Sequence, residues 1–290
     1  MPKSNVTAHG ASTVAIITLE AFAGMWINAF IVCVLCIAWV QKKTLNSNEK
    51  ILLLLGCSRI SYLCSSWVSQ FLSKIYPKYL YAHTILLLLA IFQTFFNYSN
   101  LWVSACLCGF YCIKMANFRN SFFIYLKVKV DRMVPWLLLG SEIVALAMGI
   151  VIYDLMETAQ SSNITSNSQE NFWEVTIRKD KHCYFSFFLA GFGYARTMQT
   201  SSMKDLNMDA HIRAMKSVLS FLVMYSINFV CLVLTIIYVM TKENIMTLLI
   251  SIYLCAFPGV HSLILIFSNP KLEKALLKIL SCVKWEFFIK

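Results

Sequence analysis

Charge is scarce in this sequence. Only 13% of its 290 residues are Asp, Glu, Lys or Arg, whereas 59% are hydrophobic. A soluble domain of this length requires a larger charged surface, so the excess apolar side chains must face a solvent other than water. That solvent is lipid, and the sequence therefore predicts an integral membrane protein.

Acidic residues are the scarcer of the two charge classes, with 14 Asp and Glu against 25 Lys and Arg. The resulting net charge of +11 could indicate a nucleic-acid partner, but the basic residues lie in short gaps between apolar runs. That placement is typical of loops beside anionic cytoplasmic lipid. We therefore predict membrane lipid as a partner and no nucleic acid.

Catalytic and metal-binding motifs are also absent from the sequence. The five histidines are scattered, and neither HExxH, GxSxG nor two CxxC pairs at zinc-like spacing occur. Most of the 11 cysteines lie within apolar runs, where cysteine behaves as a small hydrophobic residue. We predict no enzyme activity, no metal and no cofactor.

Long apolar runs dominate what is present. A helix needs about 20 residues to cross about 30 Å of hydrocarbon. Six runs of at least 19 residues approach or exceed that length, and they are 14–40, 51–72, 85–113, 134–152, 218–240 and 245–267. A seventh run, 184–195, has only 12 residues and is too short to span on length alone.

The distribution of Lys and Arg nevertheless favours seven crossings. With the N-terminus outside and the short run crossing, 17 Lys and Arg fall on the cytoplasmic side, seven fall outside and Arg59 lies within a span. Without that crossing the basic tail 268–290 would lie outside, against the positive-inside preference. We predict one all-α, seven-transmembrane domain over 1–290 with a shortened fifth helix, an extracellular loop at 154–182 and a cytoplasmic tail.

A few polar residues within the spans must be satisfied inside the bundle. We interpret Arg59 as a structural residue that hydrogen-bonds Asn28 and backbone carbonyls, with a direct ligand role as the alternative. His261 is interpreted as a packing or hydrogen-bonding residue. Glu20 lies near the outer end of the first span, and we predict no partner for Glu142 in the fourth.

The third span carries a polar stripe. Spacings of four, three and four residues place its members on one inward helix face, and they are Gln93, Asn97, Asn100 and Ser104. Two interpretations remain open, which are a small-molecule pocket in the outer half of the bundle and interhelical hydrogen bonding. Asn228 and Ser251 lie at comparable depth in their own spans, and they slightly favour the pocket.

A glycosylation sequon begins at Asn163, within the polar loop that the topology places outside. Further sequons begin at Asn5 in the N-terminal tail and at Asn97 within a span. The topology makes Asn163 the predicted glycosylated residue.

Several motifs appear in order along nearly the whole chain. They are NAFIV at 28–32, LLGCSR at 54–59, LWVSACL at 101–107, FYCIKMANF at 110–118, AHIRAMK at 210–216, HSLILI at 261–266 and NPKL at 269–272. Together they resemble the bitter taste receptors (taste receptors type 2), which are seven-helix G-protein-coupled receptors. The run at 110–118 is the most specific of these motifs.

The resemblance implies a plasma-membrane receptor that binds bitter small molecules near its outer face and activates a gustducin-type heterotrimeric G protein inside. The pocket positions that it implies are Gln93, Thr94, Asn97, Asn228 and Ser251. The G-protein coupling positions that it implies are Tyr111, Lys114, Asn117, His211 and Lys216. It also implies glycosylation at Asn163.

The fifth span departs from the family pattern, because its apolar stretch is shorter than the family's full helix. An alternative interpretation is therefore a folding-defective or splice-altered receptor that is retained in the endoplasmic reticulum and signals little. A third interpretation, from another class, is a small-solute membrane transporter.

Overall fold

The structure is a computed structural model that describes residues 8–75, 83–115, 121–165, 218–228, 230–231, 234 and 244–288. Within these ranges the chain forms helices and no strand. The helices are α1 (Ala8–Lys42), α2 (Ser47–Ile75), α3 (His83–Met115), α4 (Ser121–Thr165), α5 (Val218–Asn228), α6 (Asn244–Ser268) and α7 (Pro270–Phe288). The predicted short fifth span, 184–195, lies outside the described residues, and α5 belongs to the sixth predicted span.

Three helical segments in the described part of the chain are long and apolar enough to cross a bilayer, namely Val14–Lys42, Ser47–Leu72 and Ile124–Asp154. A fourth results if Ile252–Ser268 and Pro270–Ser281, which meet at a bend of 99°, are taken together. Large apolar side chains such as Trp26 and Trp136 are 80% and 74% exposed on the outside of α1 and α4. In a membrane bundle, such side chains face lipid.

The end of α1 and the start of α2 are each defined by a helix cap. Lys43 has a φ of 56°, and its N–H donates to the Trp39 carbonyl at 2.7 Å, which is the left-handed cap that ends a helix. The Asn46 N–H donates to Glu49 Oε2 at 3.1 Å. This contact forms one arm of a capping box at the start of α2.

The joint between α6 and α7 has its own cap. Asn269 Oδ1 accepts a hydrogen bond from the Lys271 N–H at 3.0 Å, and Pro270 occupies the first helical position, where a missing N–H costs nothing. Leu272 is fully buried against the bundle. The first turn of α7 is therefore packed onto the end of the bundle.

The predicted span 85–113 lies within α3, whereas α4 extends beyond the predicted span 134–152 at both ends. The helix continues to Thr165, so the backbone at Asn163 belongs to its last turn. The main apolar core joins six of the helices, and its members include Leu35, Leu55, Val103, Val134, Leu265 and Leu272.

Side-chain contacts define the directions of the first four helices. Thr18 and Trp67 are hydrogen-bonded at 3.1 Å, and they join the start of α1 to the last third of α2. Helices α3 and α4 are connected near the middle of α3 by Ser99–Glu142 and near its end by Lys114–Asp131. Helices α2 and α3 are connected by Ser58–Phe96 and Asn48–Tyr111. Successive helices from α1 to α4 are therefore antiparallel.

Helix α6 runs parallel to α1, as the pairs Gly24–Gly259 and Asn28–Ser262 show. Helix α5 runs antiparallel to α6, as the ring contacts Phe221–His261 and Tyr225–Phe257 show. Helices α1, α3 and α6 thus begin at one end of the bundle, which we call the first end. Helices α2, α4 and α5 begin at the other, which we call the second end.

The parallel contact between α1 and α6 depends on two glycines. A Cβ atom on Gly259 would lie 3.1 Å from the Cα atom of Gly24. Small residues allow helix backbones to approach closely in a membrane. This crossing brings Asn28 and Ser262, one turn further along each helix, into contact.

Candidate functional site

A buried arginine lies at the polar centre of the bundle. Arg59 on α2 is 0% exposed. Its Nε donates to Asn100 Oδ1 at 3.0 Å, and its Nη1 donates to Ser262 Oγ at 2.6 Å. Its Nη2 contacts Ser104 Oγ at 3.4 Å and His261 Nδ1 at 2.5 Å. One guanidinium therefore connects α2 to both α3 and α6.

Two neighbours extend this cluster to α1 and α5. Ser262 Oγ donates to Asn28 Oδ1 at 2.7 Å, and the Tyr225 hydroxyl, which lies beside Arg59, donates to Ser104 Oγ at 2.8 Å. The sequence predicted a bond between Arg59 and Asn28, and the structure connects them through Ser262. We call this cluster the Arg59 network, and its members are Asn28, Arg59, Asn100, Ser104, Tyr225, His261 and Ser262.

The Arg59 network is closed on one side by aromatic rings. The His261 ring lies nearly parallel to that of Phe257, with centroids 6.1 Å apart, and meets the Tyr225 ring edge-on at 5.7 Å. Phe221 lies 6.3 Å from the same imidazole. All members of the network are buried, so its hydrogen bonds lie in a low-dielectric environment.

The polar stripe of α3 divides between two roles. Its inner members, Asn100 and Ser104, are buried and bind Arg59, which is interhelical hydrogen bonding. Gln93 lies beside Tyr62 of α2, and Asn97 is partly buried one turn away from Asn100. The part of the stripe nearer the first end therefore lies outside the Arg59 network.

All the implied pocket positions on described helices lie on the first-end side of the Arg59 network. Gln93, Thr94 and Asn97 precede Asn100 on α3, which begins at the first end, and Thr94 is partly buried. Asn228, also partly buried, follows Tyr225 on α5, which ends there. Ser251 lies ten residues before His261 on α6, and its side chain lies outside the described residues.

The implied coupling positions on described helices lie toward the second end. Tyr111 lies beside the Asn48 side chain, and Lys114 Nζ lies 2.6 Å from Asp131 Oδ2 in an exposed ion pair. Asn117, His211 and Lys216 lie outside the described residues. Near the same end, Lys271 of α7 pairs with Glu49 of α2 at 2.5 Å.

Three partners were missed from the sequence. Glu142 accepts a hydrogen bond from Ser99 Oγ at 2.7 Å, although no partner was predicted for it. Ser99 directly precedes Asn100, so it faces α4 rather than α2. A polar residue on that side of α3 could have indicated a partner for Glu142. Tyr225 and Ser262 lie within apolar runs, and nothing in their spacing distinguishes them from core residues.

Within the described ranges, no three side chains of the His, Cys, Asp and Glu types cluster as metal ligands would. The polar centre is therefore built from neutral hydrogen-bonding groups around one cation. Such a centre can hold helices in register and can change its hydrogen bonds when they move.

Comparisons with known proteins agree with the fold. The taste receptor protein family (TAS2R) matches residues 6–284. Taste receptor type 2 member 9 of Homo sapiens is 31% identical over 300 aligned positions, which cover 96% of each chain. Taste receptor type 2 member 8 of Pongo pygmaeus is 28% identical and covers 93% of this chain and 96% of its own. Member 7 of Macaca mulatta is 28% identical and covers 90% of each chain.

The lipid-facing shell, the all-helical fold and the buried polar centre define a multi-pass membrane helix bundle. This chain belongs to the taste receptor type 2 family, a family of bitter taste G-protein-coupled receptors. The predicted family and the predicted all-α membrane bundle are therefore confirmed. The relatives are named as receptors and not as enzymes.

Proposed function

We propose that this chain binds bitter small molecules in a pocket at the first end and activates a gustducin-type G protein at the second end. One observation carries the proposal, which is that the implied pocket and coupling positions lie on opposite sides of the Arg59 network. On α3, Asn97 precedes Asn100 by one turn, whereas Tyr111 and Lys114 follow it by three and four turns. The two sets of positions are thus connected by one continuous helix.

The side chains proposed for the pocket suit a small, mostly apolar ligand with a few polar groups. Asn97 and Thr94 are partly buried and offer one amide and one hydroxyl group. Gln93 is also partly buried and lies beside Tyr62 of α2. Asn228 and Ser251 would complete the polar lining from α5 and α6.

The coupling end offers a basic and partly exposed surface. Lys114 keeps 38% of its side chain exposed despite its ion pair with Asp131. A ligand-driven change in the Arg59 network would shift α3 relative to α5 and α6. Because Lys114 is on the same helix as Asn100, such a shift would reach the coupling surface.

We further propose that the first end is extracellular and the second end cytoplasmic. The basic residues Lys42, Lys114 and Lys271 lie at the second end, as the positive-inside rule requires of cytoplasmic segments. Helices α4 and α5 run in the same direction, so α4 ends at the first end whereas α5 begins at the second end. This favours the seven-crossing topology over the six-crossing one. A cytoplasmic C-terminus is consistent with it, and the plasma membrane is the proposed location of the receptor.

The function is tested in cells that express this chain with a gustducin-containing chimeric G protein. A panel of bitter compounds should elicit calcium responses that require the G protein. Asn97→Ala should raise the half-maximal concentration of an active compound by about three- to tenfold, as expected for one lost hydrogen bond. Leu88→Ala is the matched control, because Leu88 lies on the same helix with half its side chain exposed.

Surface labelling separates the two receptor interpretations. Silence across the panel despite normal surface levels would overturn the proposed function. Silence together with retention in the endoplasmic reticulum would instead support the folding-defective receptor. An epitope added after Lys290 should be labelled only after permeabilisation, and labelling in intact cells would contradict the seven-crossing topology.

A further inference from the structure

The positive charge of Arg59 has no carboxylate partner among the described residues. Its hydrogen-bond partners are an amide, two Ser hydroxyls and an imidazole. These groups accept from all three nitrogens of the guanidinium but carry no negative charge, so they leave the charge of Arg59 uncompensated. A charge without a counter-charge is strongly disfavoured in a low-dielectric interior.

The carboxylates of the described membrane helices are engaged or lie elsewhere. Glu142 accepts the Ser99 hydroxyl between α3 and α4, on the other flank of α3 from Arg59. Glu20 lies eight residues before Asn28 on α1, about 12 Å along the helix axis. Neither carboxylate is hydrogen-bonded to the guanidinium.

The imidazole of His261 presents an unused donor beside this charge. A guanidinium can only donate hydrogen bonds, so Nδ1 of His261 must accept from Arg59. The neutral ring then carries its proton on Nε2. His261 is 1% exposed, and its Nε2 has no hydrogen-bond partner among the described residues. A buried N–H donor without an acceptor is rare in a folded protein.

We propose that a small monovalent anion such as chloride binds at the Nε2–H of His261. The anion would accept the hydrogen bond from Nε2 on one side of the imidazole ring. It would thereby compensate the positive charge of Arg59, which contacts Nδ1 on the other side. The rings of Phe221, Tyr225 and Phe257 lie around the same imidazole, with centroids 5.7 to 6.3 Å from its centroid. A monatomic anion is the smallest group that could accept the Nε2–H bond among these rings and also carry a negative charge. The bound ion would make the Arg59 network electrically neutral.

A ligand that binds only the folded protein raises its unfolding midpoint, and the midpoint continues to rise with the logarithm of the ligand concentration once that concentration exceeds the dissociation constant. The full-length receptor, purified into nanodiscs of neutral lipid, is therefore unfolded thermally in sodium chloride and in sodium gluconate. Both series use the same pH and the same ionic strength. We expect a midpoint higher by about 3 °C in 150 mM chloride, with a steady rise against the logarithm of chloride concentration at constant ionic strength. Equal midpoints in the two salts would overturn the proposal and leave a water molecule as the acceptor.

Two substitutions locate the effect. His261→Asn keeps an acceptor near the Nδ1 position but removes the donor at Nε2, so the chloride shift should vanish. His261→Gln places an amide donor near Nε2, so a chloride shift should remain. A full chloride shift in His261→Asn would place the anion elsewhere and overturn the proposal. If His261→Asn does not fold, the chloride titration of the unsubstituted receptor and of His261→Gln still decides between the outcomes.

Discussion

The Cα atom of Gly24 lies so close to α6 that a Cβ atom on Gly259 would be 3.1 Å away from it. The obstacle is backbone, which cannot move aside as a flexible side chain can. This crossing positions Asn28 against Ser262 in the next turn. Helix packing and the Arg59 network are thus coupled at one point.

Gly259→Ala should lower the free energy of unfolding by about 1–3 kcal/mol, because the added methyl group forces α1 and α6 apart. The thermal unfolding midpoint of the purified receptor measures the effect. Gly140→Ala on α4 is the matched control, since a Cβ atom there would meet nothing within 4 Å. Equal midpoints for the two variants would contradict the proposed importance of the crossing.

Arg59→Lys should destabilise the receptor even though it preserves the charge. A lysine ammonium cannot reproduce the planar fork that contacts Asn100, Ser262 and His261 together. We expect a loss of about 3 kcal/mol and a marked fall in surface level. Thermal unfolding and surface labelling measure the two effects.

The control for that substitution is Arg132→Lys, because Arg132 is exposed on α4. It should leave both the unfolding midpoint and the surface level unchanged. If Arg59→Lys kept the surface level and the unfolding midpoint of the unsubstituted receptor, charge alone, and not the geometry of the guanidinium, would maintain the centre of the bundle.

The sequence predicted the polar centre only in part. A charged residue in an apolar span must be satisfied inside the bundle, and the spacing of Asn100 and Ser104 placed them on an inward face. Both inferences depend on one helix at a time, and the buried contacts of Arg59 agree with them. The bridge from Arg59 through Ser262 to Asn28 depends on how closely α1 and α6 approach, and residue spacing along one helix does not contain that distance.

The same limit applies to the helix ends and the pocket. The apolar stretch of α4 predicted a span at 134–152, whereas the helix continues to Thr165. Residues 155–160 (LMETAQ) are mostly good helix formers, and neither glycine nor proline interrupts the chain from there to Thr165. The pocket at Asn97 and Asn228 stays a prediction. The shape of that pocket depends on how the helices pack, and the pattern of apolar residues along each helix does not specify this packing.

Glycosylation at Asn163 provides a test of sidedness. The sequon at Asn163 lies at the end of α4, which is the proposed extracellular face, so we expect Asn163 to carry a glycan. Asn163→Gln should therefore abolish the change in electrophoretic mobility that endoglycosidase treatment of the receptor produces. Asn97→Gln is the control, since Asn97 lies in the middle of α3 and cannot reach the glycosylation machinery. The test is made in an Asn5→Gln background, which removes the N-terminal sequon. No shift in the Asn5→Gln parent, which keeps Asn163, would contradict the assignment of the first end as extracellular. An unchanged shift in Asn163→Gln would show that Asn163 is not the glycosylated residue.

Lys114 can be tested for coupling without loss of fold. Its ion pair with Asp131 is exposed, with 38% and 52% of the two side chains accessible, and such pairs contribute about 0–1 kcal/mol. Lys114→Ala and Asp131→Asn should therefore both leave the unfolding midpoint nearly unchanged. If the lysine itself contacts the G protein, only Lys114→Ala should reduce the maximal calcium response, since Asp131→Asn breaks the same ion pair but keeps the cation. An equal reduction in both variants would show that the ion pair, and not the lysine, supports coupling.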